Sequence, residues 1–367
     1  MNFFSKLATA SLDQLGDWLN FGMSAVAVLA ALIVAHEFGH YIIARILGVR
    51  VEKFSVGFGP RIFGKKIGDT EYLLSWIPLG GYVKLYGDDP TALPEDLKGS
   101  FLTQPVWKRL MIVAAGPVFN IFLAVGIVTT AAMIGLPEIT NTIGEVQKGS
   151  PAEVGGLMPG DEILSIDGVS VSTWKESVAL IQTQPGQDII FTLMRDGQKV
   201  FKRAKAIKKE TKSLTGEKVV VGQVGILPYH KIVSYPVHVA FYKGLKWTWD
   251  ITTLTAWSIG KLVTRDIPAD QIAGPIGIMK MAGDVAESGF VSLLMFIALI
   301  SINLGILNLL PVPILDGGHI FFFTLEALMG RPVQLKHQEI AQQVGMFLLI
   351  SLMALALYND IMRLIAG

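Results

Sequence analysis

Cysteine is absent from all 367 residues. That absence excludes disulfides, thiolate metal ligands and a thiol nucleophile, so any metal here must be held by His and carboxylate. Charge is scarce as well: Asp, Glu, Lys and Arg make up 17% against 51% hydrophobic residues, and the formal net charge is +1. A mean hydropathy of +0.50 is too high for an ordinary soluble domain and too mixed for membrane helices alone. A cleavable leader is not expected either. Met1 to Asn20 is polar and holds no short apolar core ahead of a small-residue cleavage site, so the first apolar run is expected to be retained.

What is present is a set of four apolar runs, Phe21 to Ile46, Val106 to Ile134, Val291 to Leu310 and Ala341 to Ile365. Each has roughly 20 mostly apolar residues, the length that hydrocarbon thickness demands of a helix. Basic residues set their orientation. Arg45, Arg50, Lys53, Arg61, Lys65, Lys66, Lys84, Lys98, Lys108 and Arg109 crowd the segment between the first two runs, against Lys6 alone before the first. The positive-inside tendency makes that segment cytoplasmic and the long stretch between the second and third runs extracytoplasmic.

The first run carries His36, Glu37 and His40, spelling H-E-x-x-H. On a helix the imidazoles at i and i+4 share a face and can reach one Zn²⁺, while Glu37, about 100° round from His36, can act on water beside the ion. A charged residue near the centre of a membrane helix costs on the order of 2.5–3.5 kcal/mol, so such residues have partners and a task. Two imidazoles leave a catalytic zinc one protein ligand short. The candidate for the third is Asp316, in Asn308-Leu309-Leu310-Pro311-Val312-Pro313-Ile314-Leu315-Asp316-Gly317-Gly318. Two prolines end the helix there and two glycines are expected to allow a sharp turn. Non-helical backbone at membrane depth is tolerated only where it is buried in protein or lines a wet cavity. His319 is a weaker ligand candidate, and His230, His238 and His337 are expected to be bystanders. The donor set favours zinc, as one catalytic ion.

With His36-Glu37-Phe38-Gly39-His40 and Leu315-Asp316-Gly317 in place, nearly the whole chain resembles the bacterial site-2 protease family, intramembrane zinc metalloproteases that include regulators of the sigma-E stress response. The resemblance implies that His36, His40 and Asp316 bind zinc and that Glu37 acts on water. It also implies substrates that are single-span membrane proteins already trimmed outside the membrane, such as anti-sigma factors, or remnant signal peptides.

Between the second and third runs, alternating apolar strings at Ile163 to Ile166, Ile189 to Leu193 and Lys218 to Val221 are separated by turn signals such as Asp167-Gly168 and Asp196-Gly197. A short helical pattern falls near Lys175 to Gln182, and the whole reads as a small β-rich domain. Gly149-Ser150-Pro151-Ala152-Glu153, followed by Gly156 to Gly168, resembles a PDZ domain in its circularly permuted bacterial form. Gly222, Val224, Gly225 and Ile226 then resemble the loop that offers backbone N–H groups to a peptide C-terminus. Those glycines serve a tight turn equally well, and the domain could instead act as a steric filter. The best-known family members carry two such domains, whereas this chain has room for one.

The segment Val49 to Gly87 alternates like strands joined by turns, through Val51 to Val56, Gly57-Phe58-Gly59, Glu71 to Trp76, Gly80-Gly81 and Tyr82 to Tyr86, and predicts a hairpin beside the zinc helix. An amide locked in a helix cannot be hydrolysed across a metal, and an exposed strand edge can hold substrate backbone extended, with Gly57 and Gly59 in the contact. Asn308 on the third run is expected to touch substrate or the site, Asn303 to touch substrate or link helices, and Asn120 suits helix packing as well as the site. Pro236 to Asp266, rich in Trp and interrupted by charge, reads as an interfacial helix.

The predicted architecture is a multi-pass α-helical membrane protein of four transmembrane helices with a membrane-associated β-hairpin and an inserted PDZ domain. Its parts are an N-terminal membrane region at 1–140, the PDZ domain at 141–228, an interfacial linker with an amphipathic helix at 229–290 and a C-terminal membrane region at 291–367. The expected setting is the bacterial cytoplasmic (inner) membrane, with the active site toward the cytoplasm. Expected partners are single-span membrane substrates, the lipid bilayer and peptide C-termini, and no nucleic acid. A silent membrane PDZ receptor and a membrane-anchored peptidase of soluble peptides are the rival readings. The first has no need of Glu37; the second requires a site open to bulk water.

Overall fold

The computed structural model describes residues 12–89, 91–92, 94–212, 218–264, 266 and 273–366. The reading of a leaderless polar N-terminus, Lys6 included, lies outside these residues as far as residue 11. The chain divides into two compact units, one drawn from Met1–Ala131 and Pro236–Gly367, the other Ala132–Tyr235.

The first unit is built on apolar helices. Helix α1 (Leu12–Ile46) carries the H-E-x-x-H motif. It starts ahead of the expected Phe21, because Leu12, Leu15 and Leu19 already recur at helical spacing. Strands β1 (Val51–Ile67) and β2 (Thr70–Leu85) form a hairpin closed through Gly68, whose φ of +60° suits a tight turn. Both strands bend, so the hairpin folds onto itself. Lys53 to Val56 pair with Lys84 to Gly81 in descending order on one side and with Glu71 to Leu74 in ascending order on the other. The segment Gly81–Leu85 is thereby an outer edge of the sheet. Helix α2 (Val106–Ile134) follows, with Pro117 inside it.

The second unit, Ala132–Tyr235, is a β-rich module. It holds β3 (Leu136–Val146), α3 (Pro151–Val154), β4 (Glu162–Ile166), β5 (Val169–Ser170), α4 (Trp174–Gln182), β6 (Asp188–Arg195) and β7 (Gln198–Lys205). The strands β8 (Ile207–Lys212), β9 (Lys218–Gln223) and β10 (Ile226–Val233) complete it. The main sheet runs β10-β3-β4-β6-β7, and β8 and β9 form a separate ribbon. The predicted turns are real: Asp167 and Asp196 take φ of +50° and +49°, each followed by a left-handed Gly, the signature of two-residue hairpins. Helix α4 starts with a capping box between Thr173 and Glu176. Ile143, Ile163, Ile166, Ile189, Phe191 and Leu193 form the core, each at most 1% exposed. Beneath it Asp161, fully buried, accepts two hydrogen bonds from Arg195, at 2.6 and 2.7 Å.

Back in the first unit come α5 (Val237–Val263), α6 (Pro275–Glu287), α7 (Phe290–Asn308), α8 (Asp316–Met329) and α9 (Leu335–Ala366). Helix α5, read from the sequence as an interfacial helix, packs along apolar helices. Trp247, Ile251 and Ile259 join Ala124, Val128, Ala298, Ile302 and Ile306 in one core, and Gly244 lies against Val125 and Thr129. Asp360 of α9 accepts hydrogen bonds from the backbone N–H groups of Gly274, Ile276 and Gly277, capping the start of α6. By length and composition, Val28–Ile46, Val106–Ile134, Phe290–Asn308 and Leu335–Arg363 can each cross a bilayer.

Candidate metal centre

Three ligand atoms converge where α1, α2 and the start of α8 meet. His36 Nε2 lies 3.0 Å from Asp316 Oδ2, His40 Nε2 lies 3.5 Å from the same oxygen, and the two imidazole nitrogens are 3.2 Å apart. A tetrahedral zinc with ligands at about 2.0–2.1 Å has ligand-to-ligand edges of roughly 3.3 Å. The triangle therefore has the size of one face of a zinc tetrahedron, and the group can hold a metal ion. Asp316 Oδ2 is buried without a hydrogen-bond partner, the state of an oxygen reserved for a cation.

Close helix contact makes this convergence possible. A Cβ on Gly39 would strike the carbonyl of Ala115, and a Cβ on Gly116 would strike the imidazoles of both His36 and His40. The glycines of Leu315-Asp316-Gly317-Gly318 act similarly. The expected sharp turn is not what they supply, for neither appears among the positive-φ residues. A side chain on Gly317 would meet the backbone of Leu309 and Leu310, and one on Gly318 that of Val312 and Pro313. Close backbone approach, rather than left-handed conformation, is their use, and it seats Asp316 in the first turn of α8.

The remaining ring nitrogens are also engaged. His40 Nδ1 donates to the carbonyl of Ile112 at 2.8 Å, which leaves Nε2 as the lone-pair atom of the ring. Pro117 has no N–H for the carbonyl of Val113, so the helix ladder is interrupted one residue from Ile112. His36 Nδ1 faces the side-chain nitrogen of Asn120 at 3.2 Å, while Asn120 Oδ1 is buried without a partner. Two donors would oppose each other there. Rotating the amide by 180° satisfies both groups at once, with Nδ1–H donating to Oδ1, and the two amide orientations are interchangeable in shape.

Glu37 lies beside the triangle, with the backbone of Val83 close to its carboxylate. Gly81 is packed against its side chain: a Cβ there would lie 3.4 Å from Glu37 Cγ and would strike the carbonyl of Ser55. The sheet edge Gly81–Leu85 and the glutamate are thus neighbours. Tyr41 Oη and Tyr72 Oη, 2.6 Å apart, fasten α1 to the same sheet.

Other expected site residues fall elsewhere. Gly57 and Gly59 take φ of +90° and +85° and form the bend in β1, Gly57 against the carbonyls of Ser75 and Ile77. Asn303 Oδ1 accepts from Thr255 Oγ1 at 3.1 Å, which commits it to a contact between α7 and α5. Asn308 is half-buried at the C-terminus of α7, ahead of the loop to Asp316. His319 faces Phe323 at 6.3 Å and is not in the triangle. His230 lies on β10, His238 in the first turn of α5 and His337 in the first turn of α9. Gly222 lies in β9 and Ile226 opens β10, and Val224 and Gly225 join the two strands, with Gly225 at φ +84°. Sequence reasoning passed over Gly39, Gly116 and Ile112.

Residues 24–352 match the model of peptidase family M50. A protein of Agrobacterium fabrum, named by inference as a zinc metalloprotease, is 35% identical over 359 residues, covering 93% of this chain and 95% of its own. Protease RseP of Yersinia pestis is 31% identical over 444 residues, covering 92% of this chain and 98% of its own. The regulator of sigma-E protease RseP of Salmonella typhimurium is 31% identical over 446 residues, again covering 92% and 98%. Those last two alignments are longer than this chain of 367 residues, so each of these relatives carries internal residues that this chain lacks. Family model, relatives and a zinc-sized triangle of His and carboxylate agree: the chain belongs to peptidase family M50, the site-2 proteases, and is a zinc metalloprotease.

Proposed function

We propose that the chain is an intramembrane endopeptidase that cleaves the spans of single-pass membrane proteins in a bacterial cytoplasmic membrane, with one catalytic zinc held by His36, His40 and Asp316. The observation that carries this reading is the triangle of 3.0, 3.2 and 3.5 Å on helices long and apolar enough to cross a bilayer. Zinc, when bound there, supplies Lewis acidity toward water and the scissile carbonyl. The chain's own groups supply the rest. Glu37 takes a proton from the attacking water and returns it to the leaving amide nitrogen. Gly81–Leu85, an open sheet edge beside Glu37, pairs with substrate backbone and keeps the scissile amide extended. Asn308, ahead of the Pro311-Pro313 loop, contacts substrate, and Gly57 with Gly59 shapes the same sheet.

An apolar groove of about 590 Å³ lined by Ala35, Phe38, Phe119, Phe122 and Leu294 lies next to His36 and Glu37 in sequence. It suits the approach of a substrate span from lipid, and a peptidase of soluble peptides would have little use for it. The module 141–228 is read as a single PDZ domain on the extracytoplasmic side. The name of the Salmonella relative, a regulator of sigma-E, favours anti-sigma factors among the substrates; remnant signal peptides share the same single-span chemistry.

The test compares wild type with Glu37→Gln in detergent, measuring bound zinc and cleavage of a single-span substrate lacking its extracytoplasmic domain. Zinc in both with cleavage by wild type alone is expected. Equal cleavage by the variant would remove Glu37 from the mechanism, and cleavage restricted to soluble peptides would remove the intramembrane reading.

A further inference from the structure

Two concavities of the module Ala132–Tyr235 meet at the segment Gly222–Ile226. One is a groove of about 300 Å³ between α4 and the start of β10, lined by Trp174, Val178, Ile181, Val224, Ile226 and Leu227. Among the described residues β10 is an end strand of its sheet, and its outer side can pair with another chain. The other is a cleft of about 1150 Å³ lined by Lys148, Arg203, Lys205, Lys208 and Lys209, with Asp188 as the one carboxylate of its lining. Lys209, Gln223 and Gly225 line both, so the apolar groove opens into the basic cleft.

The charge in the cleft is unspent. Asp188 is taken by Arg203 at 2.8 Å. Lys148, Lys205, Lys208 and Lys209 are exposed and in no ion pair among the described residues. In a chain whose net charge is only +1, four unpaired ammonium groups around one cleft make a local positive field that favours anions. A lone terminal carboxylate would neutralise one of them and fill little of the volume. A chain running antiparallel to β10 would bring its C-terminal side to Gly222–Ile226, because β10 begins there, and residues beyond that point would enter the cleft.

We propose that this module binds extended polypeptide in which an apolar stretch is followed by an acidic one, the apolar part along β10 and the acidic part among Lys148, Lys205, Lys208 and Lys209. Recognition then reads a sequence pattern and does not require a chain end. Neither zinc nor proteolysis enters the argument, so the site stands or falls apart from the proposed activity.

The full chain in neutral detergent is titrated into a fluorescein-labelled peptide of alternating Val and Thr followed by a run of Glu, and anisotropy is read with a free and with an amidated C-terminus. The expected result is binding that survives amidation, weakens as salt is raised, and is lost when Glu is replaced by Gln in the peptide. Lys208→Glu with Lys209→Glu should weaken it about tenfold at unchanged zinc content. Lys148→Gln with Lys205→Gln, exposed positions that tolerate change, should act in the same direction. Loss of binding on amidation alone would show a reader of chain ends and overturn the proposal. Unchanged affinity after both charge substitutions would overturn it as well. So would retention on vesicles of phosphatidylcholine and phosphatidylglycerol without binding of the peptide, which would assign the cleft to a lipid surface.

Discussion

The imidazole of His36 can present Nε2 as a lone pair toward Asp316 only if Nδ1 carries the proton, and that buried proton needs an acceptor. Asn120, fully buried and with its amide oxygen otherwise unpartnered, is the group in place to accept it. Asn120→Leu should therefore lower zinc affinity by about 10–100-fold, the usual cost of losing an outer hydrogen bond to a metal ligand. Asn120→Asp, which keeps an oxygen at the same reach, should hold zinc nearly as well as wild type. Competition with a chelator measures both, and equal affinities for the Leu and Asp variants would refute the assignment. Gly116→Ala tests the packing side of the same centre. Its methyl would overlap both imidazoles, so purified protein should contain little zinc while keeping its helical circular dichroism. The motif residues themselves were legible because i, i+4 spacing and a Pro-broken span are local patterns. Asn120 and Ile112 were not assigned from sequence, since they reach His36 and His40 from 84 and 72 residues away and no local pattern encodes that distance.

Helix α8 must hold Asp316 at one end, and its other end is fixed by a buried ion pair. Arg109 of α2 binds Glu326 through both Nη atoms, at 3.0 and 2.5 Å, donates to the carbonyl of Gln104, and stacks over Phe323 at 4.7 Å. The side chains are only 7% and 16% exposed. Ten residues of helix separate Glu326 from Asp316, a rise of about 15 Å, so this clamp sets the line on which the aspartate lies. Breaking it from one side strands the other charge. Glu326→Leu should cost on the order of 3–5 kcal/mol in unfolding free energy, whereas Arg109→Met with Glu326→Leu should recover most of that loss. Denaturation in detergent reads the series, and a double variant no better than the single one would mean that the pair itself, not the stranded charge, carries the stability. Neither Arg109 nor Glu326 stood out in the sequence, because each looks like an ordinary charge flanking an apolar run. The hairpin shows the same limit at the level of strands. Alternation located β1 and β2, yet the double pairing of Lys53 to Val56 depends on bends at Gly57 and Gly80 that alternation cannot specify.

On the scale of the whole chain, every residue of the metal centre comes from 12–131 or 236–366, and every residue of the β-rich core comes from 132–235. The two ends of the module are adjacent: Tyr235 N–H donates to the carbonyl of Ala132 at 3.0 Å. A segment whose ends meet this closely is an insertion that can be removed and closed with a few residues of Gly and Ser. Residues 132–235 expressed alone should unfold in one cooperative transition, since the buried Ile, Leu and Phe side chains and the Asp161–Arg195 pair all lie within them. The remaining chain, joined by the short linker, should still bind zinc at wild-type stoichiometry in detergent, because Ile112, Asn120, His36, His40 and Asp316 are all retained. Substrate selection is where the deletion should act: a single-span substrate that keeps a bulky extracytoplasmic domain should be cut faster by the deletion variant than by the full chain if the module filters by size. Metal analysis and cleavage of the trimmed and untrimmed substrates separate the two effects. Zinc lost on deletion would show that the centre needs the module to form, and zinc retained with unchanged selectivity would place the choice of substrate within the helices themselves.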